Sequence, residues 1–511
     1  MDIVEDRALR LQLRNPTRVT TVIPKSKQTG PNEVIVHWGV EEVMALRELN
    51  IAAPAPIERR YKWTGQYLPM AHQKETAAFL TTNRKAFCFS EQGTGKTGAA
   101  IWAADFLMQQ KKVRRALIVC PISIMDSAWR ADLFKFAMHR TVDIAYGSAD
   151  KRRKIVAGGA EFIITNYEGI RILGDDLKAA GFDLIIVDEA THYKNVQSQR
   201  WKALNKIVTD DTWLWLMTGT PAAQSPVDAY GLAKLVNPDG VPRFYGNFRD
   251  LVMYQQTKFK WAPKPDAAAT VHRVLQPAIR FTKDECLDLP DIMYLKRFVP
   301  LTKQQEHYYK KLKKDLLMEA AGAEVTAQNA AIAMNKLLQI SAGAVYTDGG
   351  DTLEFDISAR YKVLKEVVDE TSRKVLVFVP FKSTIRMVQE ALLADGVTAE
   401  TISGDVSAGA RADIFKRFQT TAEPRVLVIQ PQSAAHGVTL TAADTIVWWA
   451  PTPSLETYAQ ANARIHRTGQ TAKCTVVQLQ GSEVENRMYG MLDKRIDVHS
   501  QILGLYNELL D

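Results

Sequence analysis

"FCFSEQGTGKTGAA", residues 87–100, decides how the first half of the chain is read. An apolar run, "AFCFS" (86–90), ends in a loop holding Gly93, Thr94 and Gly95. A helical stretch, "GAAIWAADFLMQQ" (98–110), follows. Glycines permit close backbone approach, so main-chain N–H groups can turn toward an anion at the positive end of the helix. Lys96 and Thr97 stand where that helix begins. This arrangement predicts a triphosphate cradle, with Lys96 on the β and γ phosphates and the Thr97 hydroxyl on Mg²⁺. The strict pattern has glycine at position 90, and Ser90 stands there.

Similar apolar runs follow: "ALIVCP" (116–121), "FIITN" (162–166), "LIIVDE" (184–189) and "LWLMTG" (214–219). Continuous apolar runs suit strands buried on both faces of a parallel sheet. Helical stretches such as "SAWRADLFKF" (127–136) separate them. The alternation predicts an α/β domain over 61–225. Asp188 and Glu189 close one run, which puts them at the carboxyl edge of the sheet, where ligands bind. Asp188 is expected to hold Mg²⁺, and Glu189 to orient or deprotonate the attacking water. Gln73 can read an adenine edge, because an amide both donates and accepts.

The rest of the chain is less uniform. Residues 1–60 form a small N-terminal accessory region, with a strand in "EVIVHW", a helix in "VEEVMALRELN" and a linker in "AAPAPIERR". Residues 226–357 lose the alternation and are expected to be a helical insertion. Strand-like runs resume in "KVLVFVP", "VLVIQP", "TIVWWA" and "CTVVQLQ", predicting a second α/β domain over 358–480. A terminal helix is expected over 481–511.

Composition sets the bounds. At 511 residues the chain exceeds one core, and 46% apolar with 24% charged residues is ordinary for globular protein. A net charge of +8 leans toward a polyanionic partner. No apolar run has membrane-spanning length, and the N-terminus carries acids without an apolar signal core. Four dispersed cysteines form neither a zinc pattern nor a disulfide framework. A reduced cytoplasmic compartment is expected.

In "QANARIHRTGQ" (460–470), Gln460, Arg464 and Arg467 fall at i, i+4 and i+7. On one helix they would share a face, with Gly469 as the C-cap. A basic surface stripe would be the plain reading. Beside a phosphate site, the same residues become candidates for stabilising the charge on a departing γ-phosphate.

The ordered series Gln73, "SEQGTGKT", "CPISIMDSAWRADLFKF", "FIITNYEGI", "DEATHYKN", "MTGTPAAQSP", "ISGDVSAGARADIFKRFQ" and "LTAADTIVWWAPTPSLETYAQANARIHRTGQ" resembles the Swi/Snf-type DNA translocases of the superfamily 2 helicases. The likeness runs over about residues 61–503 in order, which is far more specific than any single motif. It implies two RecA-like domains that hydrolyse ATP with Mg²⁺ and step along double-stranded DNA. Carried over by position, Thr218, Gly219 and Thr220 couple the nucleotide to DNA, and Pro121, Asn166 and Phe381 lie in segments lining the DNA track. The sequence departs from the pattern at Thr191, where the family has His, at Ala434-Ala435, where it has Gly-Gly, and at Ala463, where it has Asp. No added reader module is evident, which suits a bacterial or phage-encoded motor. Trp129, Tyr167, Phe381, Trp448 and Trp449 are candidates for stacking on bases, with core packing as the alternative, favoured for Trp448 and Trp449. Two other readings stay open: a strand-separating or annealing helicase acting on forked or single-stranded DNA, and a DNA-binding module with a vestigial nucleotide site.

Overall fold

The structure is a computed structural model. It describes residues 1–494 except 220, 223–224, 258–259, 287–288, 323–326, 347–350, 435–437 and 468. The chain divides into two compact units. The first runs over Met1–Ala222 and Pro226–Cys286, and the second holds the described residues beyond Cys286.

The first unit opens with a four-stranded antiparallel sheet of β1 (Asp2–Val4), β2 (Ala8–Gln12), β3 (Ser26–Gln28) and β4 (Glu33–His37), in the order β1-β2-β4-β3. Leu9, Leu11, Val34, Val36 and Trp38 fill its core against the helix Val40–Glu48. The accessory region is thus a folded layer, and Trp38 Nε1 donates to Pro54 O at 2.9 Å to fix the linker that follows.

The main sheet of this unit contains β5 (Lys85–Cys88), β6 (Ala116–Val119), β7 (Val142–Ile144), β8 (Phe162–Thr165), β9 (Leu184–Asp188) and β10 (Trp213–Met217). A hairpin of β11 (Met253–Thr257) and β12 (Lys260–Pro263) stands outside it, and β13 (Ala278–Ile279) rejoins it at the edge. Every pairing is parallel, in the order β13-β5-β10-β9-β6-β8-β7. The apolar runs become strands because they are buried throughout: every residue of β6, β8, β9 and β10 lies inside. Register then positions the site. Met217 pairs with both Cys88 and Asp188, so β5, β10 and β9 end at one level. The glycine loop, Asp188-Glu189 and Thr218-Gly219 all leave from that edge.

The second unit is built on β14 (Ile292–Phe298), β17 (Lys374–Phe378), β18 (Ala399–Ile402), β19 (Val426–Ile429), β20 (Ala443–Trp448) and β21 (Cys474–Gln480), in the order β14-β21-β20-β17-β19-β18 and again all parallel. A small hairpin of β15 (Ala344–Tyr346) and β16 (Thr352–Glu354) lies apart from it. Helices Lys303–Gly322 and Ala327–Ala342 pair with each other, and Met334, Leu337 and Leu338 share a core with Val484 and Met488 of the helix Glu483–Asp493. Both units are α/β with RecA-like parallel sheets.

The expected helical insertion over 226–357 is corrected. Residues 226–286 pack in the first unit and supply β13 to its sheet, while β14 joins the second sheet through seven parallel pairs with β21. Edge strands escape a search for buried apolar runs because one side stays exposed, as in "IMYLKRF". Of the expected terminal helix, Glu483–Asp493 is helical, and the part beyond 494 lies outside the described residues.

Candidate nucleotide site and arginine loop

Gly93 and Gly95 carry the glycine loop through positive φ values of 89° and 81°. Gly95 also lies against the Gln73 amide, which would have to move aside for a Cβ there. Gln73 Nε2 donates to Thr94 O at 3.3 Å, and its Oε1 accepts Met70 N at 2.9 Å. His72 Nε2 bonds the same Thr94 carbonyl at 2.7 Å. Both ends of the Gln73 amide are therefore engaged by backbone, and the sequence reading missed its companion His72. Lys96 Nζ closes the loop by donating to Ser90 O at 2.6 Å and Glu91 O at 3.4 Å. Thr97 lies half-buried one residue on.

Asp188 is held from three sides. Trp129 Nε1 donates to its Oδ2 at 2.9 Å, Glu189 N donates to its Oδ1 at 3.0 Å, and the Tyr167 hydroxyl donates to its carbonyl at 2.8 Å. Burial pushes its carboxyl above the usual range, while the charge of Lys96 and the indole bond pull the other way. Glu189 adopts a left-handed conformation, φ 50° and ψ 55°, and its Oε1 accepts from Gln92 Nε2 at 3.0 Å. Thr218 is buried and donates its N–H to Cys88 O at 3.1 Å. Gly219 lies against the glycine loop, where a side chain would meet Gln92 N at 3.8 Å. Thr220 lies outside the described residues.

Trp129 stands on a π-helical segment, Met125–Arg130, a form that often marks functional sites. It is fully buried, as are Trp448 and Trp449, and Tyr167 nearly so. None of the four can stack on a base. Their polar atoms are used inside: Trp448 Nε1 donates to Asn462 Oδ1 and Trp449 Nε1 to Ala342 O. Pro121 is buried, and buried Asn166 accepts Arg152 Nη1 at 2.9 Å. Phe381 precedes the helix Lys382–Ala394 and packs half-buried against the second unit's apolar clusters. After "DEA", where Thr191 departs from the family pattern, the His192 ring packs on Tyr167 with centroids 4.5 Å apart.

The arginine stretch differs from the single-helix expectation. The helix is Leu455–Asn462, capped at Ala463, and Arg464 and Arg467 lie in the turns beyond it. Gln460 stays on the helix and donates to Glu456 Oε1 at 3.0 Å. The two arginines nevertheless converge, Arg464 Nη1 and Arg467 Nη1 donating to Val438 O at 3.2 and 3.4 Å. Long-range bonds replace the helical ladder. Leu440 N donates to Arg464 O at 3.0 Å, while Gln470 Nε2 donates to Ile465 O at 3.2 Å and Ala443 O at 2.8 Å. Gln470 Oε1 accepts Thr471 N and Ala472 N at 3.0 Å and Arg373 Nη1 at 3.2 Å. The sequence offered no local signal for this buried hub.

Fold and sites together define a P-loop protein of two RecA-like units. Residues 72–343 match the SNF2-related domain, and residues 359–469 match the helicase conserved C-terminal domain. The chain belongs to the SNF2-related family. An uncharacterized ATP-dependent helicase of Mycoplasma genitalium is 25% identical over 76% of this chain and 37% of its own length. Putative protein p41 of Acyrthosiphon pisum secondary endosymbiont phage 1 is 24% identical over 79% of this chain and 90% of its own. The Sulfolobus solfataricus SWI2/SNF2 ATPase core in complex with double-stranded DNA aligns with 20% identity and a TM-score of 0.42, covering 88% of this chain and 96% of that one. The chain spans less than half the length of the first curated relatives it matches, between 32% and 40%. Among the described residues, no helix is long and apolar enough to cross a membrane.

Proposed function

We propose that the chain is an ATP-driven motor that hydrolyses ATP and translocates on double-stranded DNA, remodelling DNA or protein–DNA complexes. One observation carries the reading. The glycine loop, Asp188-Glu189 and Thr218-Gly219 leave one sheet edge at a common level set by strand register. Lys96 and the loop amides would bind the triphosphate. The Thr97 hydroxyl and the buried Asp188 carboxylate are hard oxygen donors. They fit Mg²⁺, which needs few protein ligands when phosphates and waters supply the rest. Bound there, the ion would neutralise phosphate charge. Glu189 would orient and deprotonate the attacking water. Arg464 and Arg467 would stabilise the charge on the departing γ-phosphate.

Duplex DNA as the track is supported by family membership and by the excess of 65 basic over 57 acidic side chains. Phosphate contacts carry no sequence information, so binding should be salt-sensitive and weakly selective. The test is ATP turnover with duplex DNA, with single-stranded DNA, with single-stranded RNA and without nucleic acid, alongside Lys96→Ala. Duplex should stimulate turnover and Lys96→Ala should abolish it. Stimulation by RNA alone would overturn the DNA assignment.

A further inference from the structure

Gln92 has no part in the roles given above to Lys96, Asp188 and Glu189, yet it sits where three strand exits meet. It leaves β5 within the glycine loop. Its amide reaches Glu189 beyond β9, Nε2 donating to Oε1 at 3.0 Å. Its backbone lies against Gly219 beyond β10. The Glu189 backbone is fixed separately, by the Asp188 carboxylate accepting its N–H at 3.0 Å and by its own carbonyl accepting His192 N at 3.3 Å. A left-handed glutamate is a conformation that persists only where its surroundings impose it. Both of these are backbone bonds, whereas Gln92 bonds the carboxylate itself. A glutamate side chain turns about three bonds, and a general base must be pointed before it is useful.

We propose that Gln92 is a positioning residue for Glu189. Its amide N–H fixes one carboxylate oxygen, and so the plane and direction of the base, while leaving the negative charge intact. A lysine would reach the same oxygen but would lower the basicity of the group. This rests on the ATPase reading above.

The test compares Gln92→Leu, which keeps bulk and removes the donor, with Gln92→Glu, which keeps length and replaces the donor by a like charge. Gln92→Leu should lower kcat about ten- to a hundredfold while KM for ATP and affinity for a fluorescent ATP analogue stay within about twofold. Gln92→Glu should lose at least as much. In a Glu189→Gln background, adding Gln92→Leu should change the residual single-turnover rate by less than about twofold, because the two residues act as one unit. The positioning role is overturned by a normal kcat in Gln92→Leu. Weaker analogue binding at unchanged kcat, or an equal loss in both backgrounds, would overturn it as well. A wild-type chain that turns over no ATP with duplex would instead overturn the ATPase reading, and the positioning role with it.

Discussion

Arg464 and Arg467 donate to the same carbonyl, Val438 O, at 3.2 and 3.4 Å. Two guanidiniums brought to one acceptor repel each other, so an anion placed beside them relieves the repulsion as well as binding. Replacing Arg467 by alanine should therefore slow hydrolysis about a thousandfold or more, as loss of an arginine finger does, and leave ATP binding nearly intact. Steady-state turnover together with equilibrium binding of an ATP analogue checks this. Near-normal turnover would remove Arg467 from the chemistry.

Trp129 makes a second test. Its indole N–H donates to a carboxylate oxygen of Asp188 at 2.9 Å. Trp129→Phe keeps an aromatic ring and removes only the donor and some bulk. A hydrogen bond to a charged group contributes about 1.5–3 kcal/mol, so the denaturation midpoint should fall accordingly. The Mg²⁺ concentration needed for half-maximal turnover should also rise. A variant as stable as the wild type with an unchanged Mg²⁺ requirement would show that the bond contributes nothing.

The two cases show which parts of the structure were legible in sequence. Runs such as "LIIVDE" announced themselves because burial on both faces leaves no polar position to interrupt them. Lys96, Asp188 and Glu189 stand out as candidates because they adjoin such runs. β14 and the short strands β1 to β3 were not found, because half-exposed strands mix polar and apolar residues without a long period. The arginine stretch kept a helical spacing through Arg467, yet the helix stops at Asn462. Beyond it Arg464, Ile465 and Arg467 bond to Val438, Leu440 and Gln470, contacts that no local pattern records. Gln92 and Glu189 likewise meet across 97 positions of chain.

Gln470 gives the third prediction. Its amide bonds Ile465 O within the arginine loop and Ala443 O on β20. Gln470→Leu removes the donor to these two carbonyls, at about 1–3 kcal/mol for each buried group left unsatisfied. The arginine loop should loosen with it. We expect a lower melting temperature and a kcat reduced toward that of the arginine variants, with KM for ATP little changed. A variant that melts early but turns over normally below its transition would separate the fold of the loop from its function.

The fourth prediction concerns stability alone. Arg360 and Glu485 form a buried bidentate pair, Nη1 to Oε1 at 2.7 Å and Nη2 to Oε2 at 2.9 Å, and Arg360 also donates to Trp449 O at 2.8 Å. Glu485 Oε2 further accepts Gly481 N and Ser482 N at 2.8 and 3.1 Å, tying the helix Glu483–Asp493 to the end of the second sheet. Removing one partner leaves a buried charge without its counterion, which costs about 3–5 kcal/mol. Glu485→Ala should therefore destabilise the second unit by about that amount. The double replacement Arg360→Met with Glu485→Leu should recover much of the loss, because well-packed apolar side chains can replace a buried pair at little cost. Denaturant titration of the single and double variants measures both values. If the double variant is as unstable as Glu485→Ala, the main-chain bonds to Glu485 rather than the ion pair hold this corner of the sheet.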